Sequence, residues 1–223
     1  MSSLRIRTRF LSWCVCIAVA SVSTVATAVP ISIFNTGVDA IGNAIVGDGV
    51  LDTHYSFFTQ PAPATATAVT VDPLNYPFPA WVANNAQSRW IGPGINGSGN
   101  AGLYIYRTTF NLPANAILGS ASITGDWAKD DNSNANDIRI NGISTGQNNG
   151  TFTAVVPFSV GSGFVIGTNT LDFYVNNQGG PTGLRVDHIL GNYQIAVPEP
   201  STAILIAAAS LISMVTLRRK RSV

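Results

Sequence analysis

The densest set of potential ligand atoms in this chain is a run of Asp and Asn side chains between positions 126 and 137. Asp126, Asp130, Asp131, Asn132, Asn134, Asn136 and Asp137 offer hard oxygens within one short segment. Calcium takes about six to eight such oxygens from carboxylates, amides and backbone carbonyls. The run is not an EF-hand, because Ala135 stands where that loop needs glycine and Asn141 where it needs glutamate. Two readings follow. Asp130, Asp131, Asn132, Asn134 and Asp137 hold a structural calcium, or the segment is a solvated turn whose Asx side chains bond their own backbone.

A second chemistry is carried by aromatics. Trp81, Trp90 and Trp127, with Tyr76, Phe78, Tyr104 and Tyr106, supply faces on which a sugar ring can stack while Asp and Asn take its hydroxyls. Trp81 and Trp90 sit in or beside Gly/Pro-rich stretches, where binding residues of a β domain collect. Trp127 beside Asp126 is the best placed. The competing reading puts the same rings in the core or beneath loops. His54 and His188 are the only histidines; His188 follows Asp187, but two isolated histidines make no zinc spacing and read as structural. The chain has no Gly-x-Ser-x-Gly elbow and no phosphate-cradling glycine loop, and ten scattered aspartates define no glycosidase pair. A non-enzyme is expected, with no catalytic residues.

The elements that must position these groups are strands. Short apolar runs alternate with turn chemistry and no sustained 3.6-residue period is present, which is an all-β pattern. Residues 31–34, 52–58, 69–71, 103–112, 121–127, 137–140, 152–158, 170–175 and 184–195 are the expected strands. In the clearest of them Tyr104, Tyr106, Phe110 and Leu112 share one face, with Leu103, Ile105, Arg107 and Thr109 on the other. Asn141-Gly142 marks a tight turn, and residues 91–102 are expected to be loop. Some eight to ten strands in one domain suggest a two-sheet sandwich.

Both ends of the chain look like address labels. Arg5, Arg7 and Arg9 precede a largely apolar stretch over 10–25, and Ala26-Thr27-Ala28 fits a signal-peptidase site, so residues 1–28 read as a signal peptide. At the other end Pro198-Glu199-Pro200 is followed by fifteen uncharged residues, 203–217, and then by Arg218-Arg219-Lys220-Arg221. As a helix those fifteen residues span only ~22 Å against a ~30 Å hydrocarbon core. A helix over about 202–217 therefore spans marginally, with its basic end on the cytoplasmic side. Both cysteines, Cys14 and Cys16, fall in the leader. The segment between the ends carries five cations (Arg89, Arg107, Lys129, Arg139, Arg185) against ten aspartates, a net charge of −5. That balance argues against nucleic acid as a partner.

The tripartite tail over 197–221 resembles the PEP-CTERM sorting signal of bacteria that export surface and exopolysaccharide-matrix proteins. The resemblance implies cleavage or transfer by an exosortase-type membrane protease, a transient membrane anchor, and an envelope or extracellular location reached by secretion. Within 29–196, Tyr104-Ile-Tyr-Arg-Thr-Thr-Phe-Asn-Leu-Pro113, Gly125-Asp-Trp127, Ile138-Arg-Ile-Asn-Gly142 and Gly167-Thr-Asn-Thr-Leu171 resemble galactose-binding-like jelly rolls. This second resemblance implies a jelly-roll sandwich, often with a structural calcium, acting as a non-catalytic module for extracellular polysaccharide or matrix association. The alternative is a purely structural surface or biofilm protein making protein contacts only.

Overall fold

The computed structural model describes residues 27–75, 80–196 and Ser210. Residues Ala26–Pro198 form one compact unit. Its strands are β1 (Ala28–Pro30), β2 (Ser56–Thr59), β3 (Val69–Val71), β4 (Trp90–Gly92), β5 (Gly102–Leu112), β6 (Ala116–Asp130), β7 (Asp137–Ile140), β8 (Ile143–Ser144), β9 (Val156–Val160), β10 (Gly167–Asn177) and β11 (Gly183–Ile195). They pair antiparallel in two sheets. One has the order β3-β4-β11-β6-β9, with β1 also against β11; the other is β2-β5-β10-β7-β8.

The alternation in the sequence explains the packing. On β5, Tyr104, Tyr106, Phe110 and Leu112 are buried, while Thr109 and Asn111 between them are exposed. Leu171, Phe173 and Val175 of β10, Ile138 and Ile140 of β7, and Ile123, Trp127, Leu184 and Val186 of β6 and β11 join them in one core. Inward faces of both sheets thus share a single apolar interior, the arrangement of a β-sandwich. β7 and β8 are joined by Asn141 and Gly142, at φ 51° and 80°, the left-handed pair that a two-residue hairpin requires.

The differences from expectation have local causes. Residues 31–34 do not form a strand; the first strand is Ala28–Pro30, paired with Asn192–Gln194 on β11. The chain from Ile31 still follows β11, through bonds from Ile31 N–H to Gly191 O (2.9 Å) and Thr36 N–H to Val186 O (3.1 Å). Trp90–Gly92 is a strand where glycine and proline content suggested loop, because Ile91 pairs with Leu184 of β11. β11 is consequently flanked on one side by β6 and on the other by β4 near its start and β1 near its end. The chain enters this unit at β1 and leaves it after β11 at the same pole, where Ala196 N–H bonds Asn115 O (2.8 Å). The expected signal-peptide helix and the tail helix over about 202–217 lie outside the described residues, as do Ala26, Pro198, Glu199 and Pro200. Among the described residues no helix is long and apolar enough to cross a membrane.

Candidate functional site

The three tryptophans are all inside, and this corrects the stacking-platform expectation. Trp127 is 0% exposed in the main core, facing Phe173 at 6.0 Å between ring centres. Gly150 lies directly on its indole, so close that a Cβ there would sit 2.8 Å from the ring. Trp81 and Trp90 form a second apolar layer on the outer side of the larger sheet, with Val71 and Ala128 beneath them and Val82, Phe152 and Val155 around them. Their rings pack 4.2 Å apart. Trp90 Nε1 donates to Val82 O (2.7 Å), and Trp81 Nε1 donates to Asp130 Oδ2 (2.8 Å). A ring that stacks on a sugar needs a free face, and burial takes these faces away. Tyr104 and Tyr106 are buried too, and Tyr76 and Phe78 lie outside the described residues.

The Asx run does not assemble a cation site either. Asp130 turns to Trp81, Asp131 Oδ2 accepts Gln178 N–H (2.6 Å), and Asp137 Oδ2 accepts Arg139 Nε–H (2.9 Å). Asn136 ties the turn together, donating to Asp131 O (2.6 Å) and accepting Asn176 N–H (2.6 Å). Asn132 and Asn134 remain on the surface. Among the described residues no three acidic or histidine side chains converge on one point. The run is the local-turn alternative, with its oxygens spent on protein donors. Burial pushes the Asp130 carboxyl up to about 6, with the Trp81 N–H opposing it. Burial also brings the neighbouring Lys129 ammonium down to about 8, and its Nζ reaches Asp131 O at 3.3 Å. Asp126 is half-exposed and lies 3.2 Å from His188 Nδ1. His188 sits at φ 48° in a β-bulge of β11, between Asp187 and Leu190.

Two polar constellations have no counterpart in the sequence reading. The first is buried. Arg185 and Asp187, both on the outer side of β11, are sealed under residues 80–90 with side-chain exposures of 3% and 2%. Arg185 donates to Asp187 Oδ2 (2.8 Å), Ser88 Oγ (2.8 Å) and Ala83 O. Asn85 Nδ2 adds a second donor to Asp187 Oδ2 (2.7 Å). The second lies on the outer face of the smaller sheet. There Arg107 holds Asp172 through two bonds of 2.7 and 2.8 Å, and its guanidinium lies 3.5 Å from the Phe58 ring centre. Arg139 lies 4.2 Å from the Tyr174 ring centre beside Asp137. Residue spacing alone names none of these partners, since they are brought together by register between strands far apart in sequence.

The largest concave feature is a groove of roughly 610 Å3 where β2 leaves β5. Asp52, Ser56, Phe57, Thr67, Arg107 and Thr109 are among its lining residues. Asp52 shapes one wall, accepting the N–H groups of Gly37 (2.6 Å), His54 (2.7 Å) and Tyr55 (2.9 Å). Burial raises its carboxyl above the ordinary aspartate range against those three bonds. His54 stacks on Phe34 at 3.9 Å with Nε2 2.9 Å from Asp39 O, a structural placement. The hydroxyls of Ser56, Thr67 and Thr109 are exposed on the groove and engaged by no other described group. Arg107 and Thr109 were placed on the outer face of their strand by alternation alone; the groove beside them was not foreseeable, because it depends on where β2 stops.

No curated protein matches the chain. A family model for the PEP-CTERM protein-sorting motif matches residues 196–221, beginning where the compact unit's last strand has ended. The tail that reads in three parts from the sequence is a PEP-CTERM protein-sorting motif.

Proposed function

We propose that this chain is an exported, non-catalytic protein of the cell envelope or extracellular matrix, with a β-sandwich as its working part. The observation that carries the reading is the sorting motif at 196–221 placed directly after a compact all-β unit. In this reading signal peptidase cuts after Ala28 and the tail helix anchors the chain transiently. An exosortase-type protease then acts at Pro198-Glu199-Pro200. The sandwich over 29–196 is of the galactose-binding-like jelly-roll type. Its net charge of −5, five cations against ten aspartates, keeps nucleic acid off the list of partners. Burial of Trp81, Trp90 and Trp127 favours a structural surface role over a sugar platform built on those rings. A polysaccharide contact has a different supporting observation, the open groove with free hydroxyls at Ser56, Thr67 and Thr109.

Expression in the native cell separates these steps. Glu199→Ala with Pro200→Ala is expected to leave uncut chain in the membrane fraction, while the unaltered chain moves to the surface or medium. Equal processing of both would refute sorting through this motif. A glycan-array screen with and without calcium then divides structural from polysaccharide-binding roles. Binding lost in Thr109→Val supports the groove, and a folded protein that binds no glycan supports the structural role.

A further inference from the structure

The open groove exists because β5 is longer than its outer neighbour. All eleven residues of β5 pair with β10, from Gly102 opposite Asn177 to Leu112 opposite Gly167. On its other side only Ile105, Tyr106 and Arg107 are paired, with β2. From 108 to 112 that side of the strand has no partner among the described residues. Alternate residues of this stretch must turn their backbone N–H and C=O groups toward the groove, and each such pair is a vacant place in a ladder. Natural edges are usually blunted by lysine, proline, a bulge or a covering loop. Thr108, Thr109, Phe110, Asn111 and Leu112 include no charge and no proline, and the groove in front of them is uncovered.

We propose that residues 108–112 of β5 are a strand-pairing edge on which a second copy of this chain docks, antiparallel, about a two-fold axis at Phe110. The register is self-complementary. Thr109 falls opposite Asn111 of the second copy, and both project from the exposed face, where hydroxyl and amide can bond. No like charges meet, because the stretch carries none. Pro113 follows Leu112 at once, so the second copy's chain turns away where continued pairing would strike β2. The groove supplies the room for the added strand, and the result is one continuous sheet through both copies. This pairing is independent of how the chain is sorted.

The test is sedimentation of the full chain in mild detergent across a wide concentration range. A dimer is expected, with a dissociation constant about tenfold or more higher for Thr109→Lys/Asn111→Lys, which sets lysine opposite lysine twice. Thr109→Lys/Asn111→Glu sets opposite charges across the same pair and is expected to restore the dimer. Both positions are exposed, so the fold is retained. A measurement needing no variant stands beside it: amide exchange at 108–112 should slow as concentration rises. A monomer at every concentration, a dimer indifferent to both variants, or exchange independent of concentration overturns the proposal.

Discussion

Removing Asp187 should unfold this protein more readily than removing any exposed carboxylate. Arg185 and Asp187 are 3% and 2% exposed, and the guanidinium has no water to turn to once its partner is gone. Burial already lowers the Arg185 pKa, a sign that the site disfavours an uncompensated cation, and Asp187 is what opposes that. In Asp187→Ala the guanidinium keeps Ser88 Oγ and Ala83 O but loses the carboxylate, and Asn85 and His188 lose an acceptor. Breaking a buried pair from one side costs about 3–5 kcal/mol, a large part of the ~5–15 kcal/mol that holds a domain folded. Urea denaturation of Ala26–Pro198 followed by tryptophan fluorescence measures it. At a slope of about 2 kcal/mol per molar, the midpoint falls by about 2 M. The double variant Arg185→Met/Asp187→Leu removes both charges and should recover most of that loss. A midpoint shift in Asp187→Ala below about 0.5 M, or a double variant less stable than the single one, would refute the argument.

Two further outcomes follow from burial. Trp127→Ala should cost about 3–5 kcal/mol of stability, and any glycan binding by the protein that stays folded should be unchanged; selective loss of binding would mean that the ring acts at the surface. Stability should also carry two opposite pH signatures. Asp130, raised to about 6 from 3.8, binds more protons folded than unfolded between those values, so stability falls as pH rises across that window. Lys129, lowered to about 8 from 10.5, binds fewer protons folded than unfolded, so stability rises from about pH 8 to 10.5. Denaturation midpoints of Asp130→Asn and Lys129→Met across pH check each window, and a variant that keeps the wild-type slope there removes the assignment.

The strands were legible in the sequence where one face is wet. β5 alternates Tyr104, Tyr106, Phe110 and Leu112 with polar residues, so its two faces were plain. β7 and its Asn141-Gly142 turn were equally clear, since two left-handed residues in succession have few other uses. β4 was hidden because Trp90–Gly92 is buried throughout and bounded by glycine and proline, which erases alternation. The candidate site was less legible for a physical reason. Tryptophan and aspartate in a glycine-rich segment look the same whether the indole N–H meets water or Asp130 Oδ2 inside the fold. Only the covering segments decide, here residues 80–90 over the outer side of β11 and Gly150 over Trp127. The groove, likewise, is a difference in length between two paired strands, and no single segment encodes it.

The position of β11 has a mechanical consequence. Any pull on the chain beyond Ala196 is delivered along this strand, which is gripped by β6 over most of its length and by β1 and β4 on its other side. Tension applied lengthwise to a strand held on both sides loads its rungs together, instead of peeling them one after another as at a free margin. Resistance to drag at the tethered end would then rest on the rate of unfolding under force more than on equilibrium stability.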